Sequence, residues 1–274
     1  MIDLHTHTTA SDGRCTPAAL VQRAAAAGVT VLSVTDHDTV AACDAVRAAC
    51  GAAGLEFVPG IEITANREGV DVHVLGYFFD HGSPDFLAFL SEQRKRRIDR
   101  ARDMLTRLAT LGLALDADAI LEPAVDDAGI SVGRPWIARA LVAAGHVATP
   151  TEAFDRWLSR GRPAFVPRAA AAPEDVVARI HQAGGVASMA HPGVVERDAW
   201  IQDLAAQGLD ALEAYHSDHD ARTTARYVAV ARGLGLAVTG GSDFHADTAH
   251  GPTTPGSVCL PREEYERLKR RARA

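Results

Sequence analysis

Alternating apolar strands and helices, interrupted once, predict a parallel α/β architecture with a mostly helical insertion. Three observations carry that prediction. Short apolar, β-branched runs such as Val31 to Thr35 alternate with helical stretches that glycines close, as at Gly28 and Gly54. The rhythm stops at Ser83-Pro84-Asp85 and returns near residue 164, with no convincing strand between Phe79 and Ala164. Nearly every expected strand ends in a histidine or an acid, a placement that fold class explains and chance does not.

The chain opens with a short strand, Ile2 to Leu4, running into His5 and His7, with Asp12 close behind. Strand side chains alternate, so His5 and His7 face the same way, about 7 Å apart along the backbone. Taken alone they are equally a ligand pair and two surface histidines. Thr16 caps a helix whose first residue is Pro17 and which runs through Ala27. The strand Val31 to Thr35 leads into Asp36-His37-Asp38, and a helix follows from Thr39 to about Ala53. Phe57 to Val58 and Ile61 to Thr64 read as two extended pieces around Pro59-Gly60, and Asp71 to Phe78 as a strand containing His73.

A long helix is expected from Ser83 to about Leu111, carrying the basic run Arg94, Lys95, Arg96 and Arg97. Shorter helices follow at Arg134 to Ala143 and Pro150 to Leu158. The alternation resumes with helices Pro173 to Ala183, Asp198 to Gln207 and His219 to about Gly233, and strands Gly185 to Ala190, Asp210 to Tyr215 and Leu236 to Thr239. A charged helix, Glu263 to Arg271, ends it. Gly233, Gly235 and the pair Gly240-Gly241 read as turns, and no internal repeat is evident. The expected division is therefore an α/β unit of residues 1–82 and 164–274, interrupted by a helical insertion of residues 83–163.

Bulk properties set limits. The 274 residues are 47% hydrophobic and carry 28 basic against 35 acidic side chains, a net charge of −7. That balance argues against a duplex DNA partner, which wants excess positive charge, but not against a small anionic substrate. No targeting segment or long apolar span is read, so the expectation is a cytoplasmic protein without a membrane or a protein partner. Cys15, Cys43, Cys50 and Cys259 have no C-x-x-C spacing and are expected reduced.

Histidine is the unusual count, at 12. His5, His7, His37, Glu62, His73, His191, Asp243 and His245 all fall at or near strand ends, and in parallel sheets such residues converge on one mouth. So many imidazoles and carboxylates exceed what one tetrahedral zinc needs. They fit two or three divalent ions, with Glu62 and Asp243 able to bridge; mixed imidazole and carboxylate ligands suit Mn2+, Fe2+ or Zn2+, and affinity alone does not choose among them. Such a cluster acidifies bound water, supplies hydroxide as a nucleophile and clamps phosphoryl oxygens. No Ser-His-Asp order, Walker loop or dinucleotide fingerprint competes.

His5-Thr6-His7, Ser11-Asp12-Gly13, Thr35-Asp36-His37-Asp38, Pro59-Gly60-Ile61-Glu62, Ala190-His191-Pro192 and Gly241-Ser242-Asp243-Phe244-His245 resemble, in order and over the whole chain, the PHP (polymerase and histidinol phosphatase) family. The resemblance implies a distorted seven-stranded (β/α)7 barrel with a trinuclear metal centre. It would place His5, His7, Glu62 and Asp243 on one ion. Glu62, His73 and His191 would hold a second, and Asp12, His37 and His245 a third. The insertion is similar to that of nucleoside 3′,5′-bisphosphate phosphatases and TrpH-type 5′-to-3′ exoribonucleases. Its counterparts here are Arg94 and Arg97, the stretch Gly133 to Arg139, and Gly161 to Val166, so Arg94, Arg97, Arg134 and Arg139 are candidate substrate contacts, joined by Asp12 and His245. Trp136 departs from the histidine often found in relatives and puts the pocket's shape in question.

Asp12, His37 and His245 are the candidate catalytic groups, together with His216, which with His219 follows a strand and could protonate a leaving alkoxide or contact phosphate. His250 could lie at the rim, while His81, His146 and His181 are assigned to surface or packing. The resulting expectation is a metal-dependent hydrolase of nucleotide phosphate esters, first the 3′-phosphate of nucleoside 3′,5′-bisphosphates. The alternatives are 5′-to-3′ cleavage of short 5′-phosphorylated oligoribonucleotides and opening of a cyclic phosphate; histidinol phosphate suits the insertion less well. A non-catalytic PHP scaffold is the remaining class, though such a scaffold has no chemical need of nine filled ligand positions.

Overall fold

The computed structural model describes residues 1–127, 129–246, 252 and 254–272. Its first half runs β1 (Ile2–Asp3), α1 (Pro17–Ala26), β2 (Val31–Val34), α2 (Cys43–Ala53), β3 (Glu56–Arg67) and β4 (Val70–Tyr77). Between β4 and the next strand, over the expected insertion, lie α3 (Pro84–Thr110), α4 (Ala117–Asp126), α5 (Arg134–Ala143), α6 (Pro150–Ala153) and a π-helical turn, Phe154–Leu158. The return consists of α7 (Pro173–Gln182), β5 (Val186–Met189), α8 (Pro192–Val195), α9 (Asp198–Ala206), β6 (Ala211–Tyr215), α10 (Ala221–Gly233), β7 (Ala237–Gly240) and α11 (Arg262–Arg271).

The seven strands hydrogen-bond in sequence order. The sheet then curls until its two edges meet. Leu4 donates its N–H to the Gly240 carbonyl at 3.2 Å, Asp243 to that of His5 at 2.8 Å, and His7 to that of Phe244 at 2.9 Å. These bonds leave a nearly closed seven-stranded barrel, which satisfies edge groups that would otherwise be exposed.

One strand breaks the parallel rule. β4 is antiparallel to both β3 and β5. Arg67 pairs with Val70 across a two-residue loop in which Glu68 and Gly69 both have positive φ, 54° and 76°. That backbone is the tight hairpin turn whose twist matches the strands it joins. The two extended pieces expected around Pro59-Gly60 form one 12-residue strand, β3. Gly60 makes this possible, because a Cβ there would lie 2.8 Å from the Val34 carbonyl of the neighbouring strand.

Local chemistry sets most boundaries. Thr16 caps α1 by accepting from the Ala19 N–H, and Asp220 caps α10 by accepting from Thr223, so α10 starts after His219. α2 begins at Cys43 rather than Thr39; the Thr39 hydroxyl accepts from the Ala41 N–H at 3.3 Å and donates to the Gly129 carbonyl at 2.6 Å. The sequence reading overlooks α4, whose Pro123 masks a helix that Asp116 caps. Gly240 and Gly241 form no turn. Gly240 ends β7, and a Cβ on Gly241 would lie 2.3 Å from the His5 nitrogen. Glycine is there because two strands touch.

The barrel core joins Leu4, Ile61, Val74, Tyr77, Met189 and Leu212, among others. A separate cluster within the insertion gathers Met104, Leu108, Ile137, Leu141 and Leu158. α3 belongs to both, contributing Phe86 and Leu90 to the barrel core and Met104, Leu105 and Leu108 to the insertion. Two such side chains, at about 1.5–3 kcal/mol each when fully buried, seat the helix on the barrel. The four cysteines are unpaired, and among the described residues no helix is long and apolar enough to cross a membrane. His250 lies outside the described residues.

The two glycine environments predict opposite outcomes. Gly241→Ala should destabilise the protein by about 1–3 kcal/mol through overpacking. Gly51→Ala, within α2 and with nothing inside 4 Å of its added methyl, should stabilise it by about 0.5–1 kcal/mol. Denaturant midpoints of the two variants decide this, and equal midpoints would refute the close-approach reading.

Candidate metal centre

The site grows out of one end of the barrel. His5 and His7 follow β1, Asp12 sits in the next turn, and His37 follows β2. His191 follows β5, His216 follows β6, and Asp243 and His245 follow β7. Glu62 lies inside β3, bridged to His37. His73 corrects the idea of a ligand at each strand's carboxyl end. It sits within β4 opposite Thr64, and β4 reaches this mouth only because it runs the other way. Backbone φ is positive at Asp38 (52°), His191 (26°) and Asp243 (55°), and strained non-glycine residues of this kind collect at functional sites.

Glu62 is the hub. Its Oε2 lies 3.3 Å from His5 Nε2, 3.3 Å from His7 Nε2 and 3.1 Å from His37 Nδ1. Its Oε1 lies 2.6 Å from His73 Nδ1 and 3.1 Å from His191 Nε2. Asp243 Oδ1 approaches the same two Nε2 atoms, at 3.2 Å from His5 and 3.1 Å from His7. Asp12 closes the other side, 3.3 Å from His245 and 3.7 Å from His37. Burial alone would raise the Glu62 carboxyl, but His37, His73 and His5 outweigh it and hold the group well below its ordinary range.

Three sets of these side chains bring donor atoms within 4.8 Å of one another: His7, Asp12, His37 and His245; His5, His7, Glu62 and Asp243; and His37, Glu62 and His73. The donor set fits cations. His5 Nε2, both nitrogens of His7, His37 Nδ1, His191 Nδ1 and Asp243 Oδ1 are buried without a hydrogen-bond partner. Orphaned polar atoms in that number are costly in a protein interior, and divalent cations are what imidazoles and carboxylates so placed would satisfy.

Buried acids outside the expected ligand set surround these candidate ligands. Glu213 accepts from His5 Nδ1 at 2.9 Å and from the His191 N–H at 2.8 Å. With Nδ1 donating, the His5 Nε2 lone pair is left facing Glu62 and Asp243, the usual device for orienting a metal-binding imidazole. Asp36 accepts from the Thr8 N–H and hydroxyl and from the Ser11 hydroxyl, at 2.6–2.7 Å, and so shapes the turn that presents Asp12. Asp3 binds the Ser242 N–H and hydroxyl below Asp243. A lone acid inside an apolar strand, as Glu213 is in Ala211–Tyr215, is the one signal that could have found it.

His216, expected among the catalytic groups, sits beside Asp243. Its Nδ1 accepts from the Asp218 N–H at 3.1 Å, so in the neutral ring Nε2 carries the proton, and it faces Asp243 Oδ2 at 3.4 Å. Although its ring nitrogens also lie near His5 and Glu213, that tautomer has no inward lone pair for a cation. His219 is bound to the Ala214 carbonyl and the Gly193 N–H, a packing role.

The arginines divide in an unexpected way. Arg97 is a buried pin rather than an open substrate contact. Nε binds Asp38, Nη1 the Val132 carbonyl and Nη2 the Thr64 hydroxyl. Arg94 reaches the Asp38 carbonyl at 3.1 Å, and Arg139 the Asp12 carbonyl at 3.4 Å. Trp136 donates to the Ser11 carbonyl at 2.9 Å, which ties α5 to the turn carrying Asp12. Arg134 lies 3.8 Å from Asp71. Two arginines absent from the motif reading join it there, Arg168 at 3.3 Å from Asp71 and Arg100 within the same wall. Burial raises the Asp71 carboxyl, but Arg168, Arg100, His73 and Arg134 outweigh it and bring it down to about 2.

Comparison with known proteins gives the chain's relatives. A sequence profile of the PHP domain matches residues 3–121. The chain is 34% identical over 286 residues to a 3′,5′-nucleoside bisphosphate phosphatase of Chromobacterium violaceum, covering 99% of both chains. It is 36% identical over 250 residues to the 5′-3′ exoribonuclease Rnm of Salmonella typhimurium, covering 89% of this chain and 84% of that one. A solved Bifidobacterium adolescentis protein, taken to be a metal-dependent phosphoesterase, superposes with a TM-score of 0.89 at 32% identity, over 98% of this chain and 95% of that one.

Two predictions follow from the centre's electrostatics. Burial lowers His245, but Asp12 and Asp243 outweigh it and raise the imidazole from 6.5 to about 10. In metal-stripped protein its contribution to stability is therefore full below about pH 6.5 and is lost as pH rises through about 10. Cation affinity should climb across the same window, because binding expels that proton. Calorimetry with and without chelator tests this; a stripped protein that gains stability from pH 6.5 to 10 would contradict it. Separately, His216→Ala should weaken metal binding by roughly 10–100-fold through the loosened Asp243. Competition with a chelating dye measures it, and unchanged affinity would remove His216 from that positioning role.

Proposed function

The chain belongs to the PHP family of metal-dependent phosphoesterases, and on that premise we propose that it removes the 3′-phosphate of nucleoside 3′,5′-bisphosphates. That it is a hydrolase of phosphate esters follows from the family; the choice of substrate is our reading. The observation that carries it is Arg134, partly exposed beside Asp71, which stands two residues from the ligand His73 on the same face of β4. A guanidinium one strand step from a phosphate-cleaving centre suits a second phosphate on a small substrate. The match to a bisphosphate phosphatase over nearly all of both chains favours the same substrate.

In this reading His5, His7, Glu62 and Asp243 would hold one divalent cation, Glu62, His73 and His191 a second, and Asp12, His37 and His245 a third, with Mn2+ placed first. Bound there, the cations supply an acidified water and a positive clamp for phosphoryl oxygens. The chain's own groups do the positioning that phosphoryl transfer chiefly requires. Glu213 fixes the His5 tautomer, Asp36 fixes the turn bearing Asp12, and His216 steadies Asp243. Residues 83–163 act as an insertion that brings Arg134 to the barrel of residues 1–82 and 164–274. Four unpaired cysteines suit a reducing compartment, and we place the activity in the cytoplasm.

A second reading, 5′-to-3′ release of nucleotides from short 5′-phosphorylated RNA, is favoured by the 36% identity to an exoribonuclease. Phosphate release by the Mn2+-loaded protein separates the two. Nucleoside 3′,5′-bisphosphates should give a higher kcat/KM than 5′-mononucleotides, cyclic phosphates or 5′-phosphorylated oligoribonucleotides. A preference for the longer oligomers would replace our first reading with the second.

A further inference from the structure

Asp12 sits in the turn after β1, outside the strand ladder. Donors from the insertion hold that turn by three successive carbonyls. The Ser131 N–H donates to the Ala10 carbonyl at 2.8 Å, Trp136 Nε1 to that of Ser11 at 2.9 Å, and Arg139 Nη1 to that of Asp12 at 3.4 Å. The same part of the insertion grips the turn that carries His37. The Gly129 carbonyl accepts from the Thr39 hydroxyl at 2.6 Å, and a Cβ on Gly129 would lie 2.8 Å from the Ala41 Cβ. Arg94 and Arg97 on α3 hold Asp38 by its carbonyl and its carboxylate. Arg14, two residues past Asp12, carries the constraint onward, since its N–H donates to the His245 carbonyl at 2.8 Å.

Asp12, His37 and His245 are, with His7, one of the donor sets that close within 4.8 Å. Ligands of the other two positions take their supports from the barrel. Glu213 holds His5 and the His191 N–H, His73 lies within β4, and the Asp243 N–H is bonded to the His5 carbonyl. The insertion therefore bears most heavily on one cation position.

We propose that residues 129–139 of the insertion are the frame of the cation position formed by His7, Asp12, His37 and His245, with Trp136 as a positioning residue that acts through Ser11 on Asp12. A carbonyl that loses its donor in a buried turn costs free energy until the turn shifts, and a shifted turn moves the carboxylate it presents. Supports of this kind tune metal affinity without touching the metal. Linkage makes the effect reciprocal: a cation held here favours the docked insertion as much as docking favours the cation. The inference rests on the three-cation reading above and says which position depends on the insertion.

The test measures Mn2+ bound per chain, by equilibrium dialysis and metal analysis, for wild type, Trp136→Phe, Asp12→Asn and the double variant. Asp12→Asn marks the position by neutralising its carboxylate. Trp136→Phe keeps an aromatic ring and loses the N–H, so it should weaken that position by roughly tenfold and leave the affinities of the others as they are. In the Asp12→Asn background it should cost nothing more. Trp157→Phe is the control: Trp157 Nε1 has no hydrogen-bond partner, so its loss should leave Mn2+ binding at the wild-type level. Equal weakening at every position, a further loss in the double variant, or an equal loss in Trp157→Phe would overturn the proposal.

A second measurement needs no cation. Hydrogen exchange across residues 8–14 of chelator-treated protein should be roughly 3–10-fold faster in Trp136→Phe than in wild type. If Asp12→Asn binds as many ions as the wild type, the three-cation reading falls and exchange alone decides the frame. Faster exchange confined to this turn then upholds it, and unchanged or uniformly faster rates overturn it.

Discussion

The Glu62 carboxylate is the constraint around which the molecule is built. It is 1% exposed and has five imidazoles within 3.3 Å of its two oxygens. A charge so deep is tolerable only when its partners are held in place, and those partners come from four separate parts of the barrel. His5 and His7 are placed by closure of β1 against β7, His37 by its bridge to β3, His73 by the β3–β4 hairpin, and His191 by Glu213. A loosened barrel would leave this acid facing the wrong groups, so fold and site stand or fall together.

The reversed strand is the second structural decision. An all-parallel barrel would have sent residue 73 to the opposite end of its strand. The tight turn at Glu68-Gly69 turns the chain back after β3 and brings both Asp71 and His73 to the mouth. One hairpin thus supplies a candidate ligand and, two residues earlier on the same face, the acid that gathers Arg134 and Arg168. The candidate metal centre and the cationic wall are neighbours because they share a strand.

The insertion serves the barrel in two ways. Arg97, Trp136 and Thr39 pin it down, through Asp38, Ser11 and Gly129, each beside a ligand-bearing turn. Arg100 and Arg107 on α3 then hold the returning segment by its Val166 and Phe165 carbonyls, just before Arg168. An arginine-rich helix that reads as one basic face is in fact divided, residue by residue, between anchoring and charge.

The sequence by itself was enough for the α/β alternation, the helical interruption, the helix starts at Pro17 and Pro84, and the histidines and acids at strand ends. All of these are encoded in local chemistry: apolar periodicity, proline and capping side chains, and residue types that rarely cluster without a cation. Tertiary structure alone decided the direction of β4, the contact that requires Gly241, the orienting roles of Glu213 and His216, and which arginines are pins and which face Asp71. Each of these depends on a partner far away in the chain, as Arg97 depends on Asp38 and His5 on Glu213, 208 residues on. Side-chain spacing reports which face a residue occupies; only the folded chain determines what it meets there.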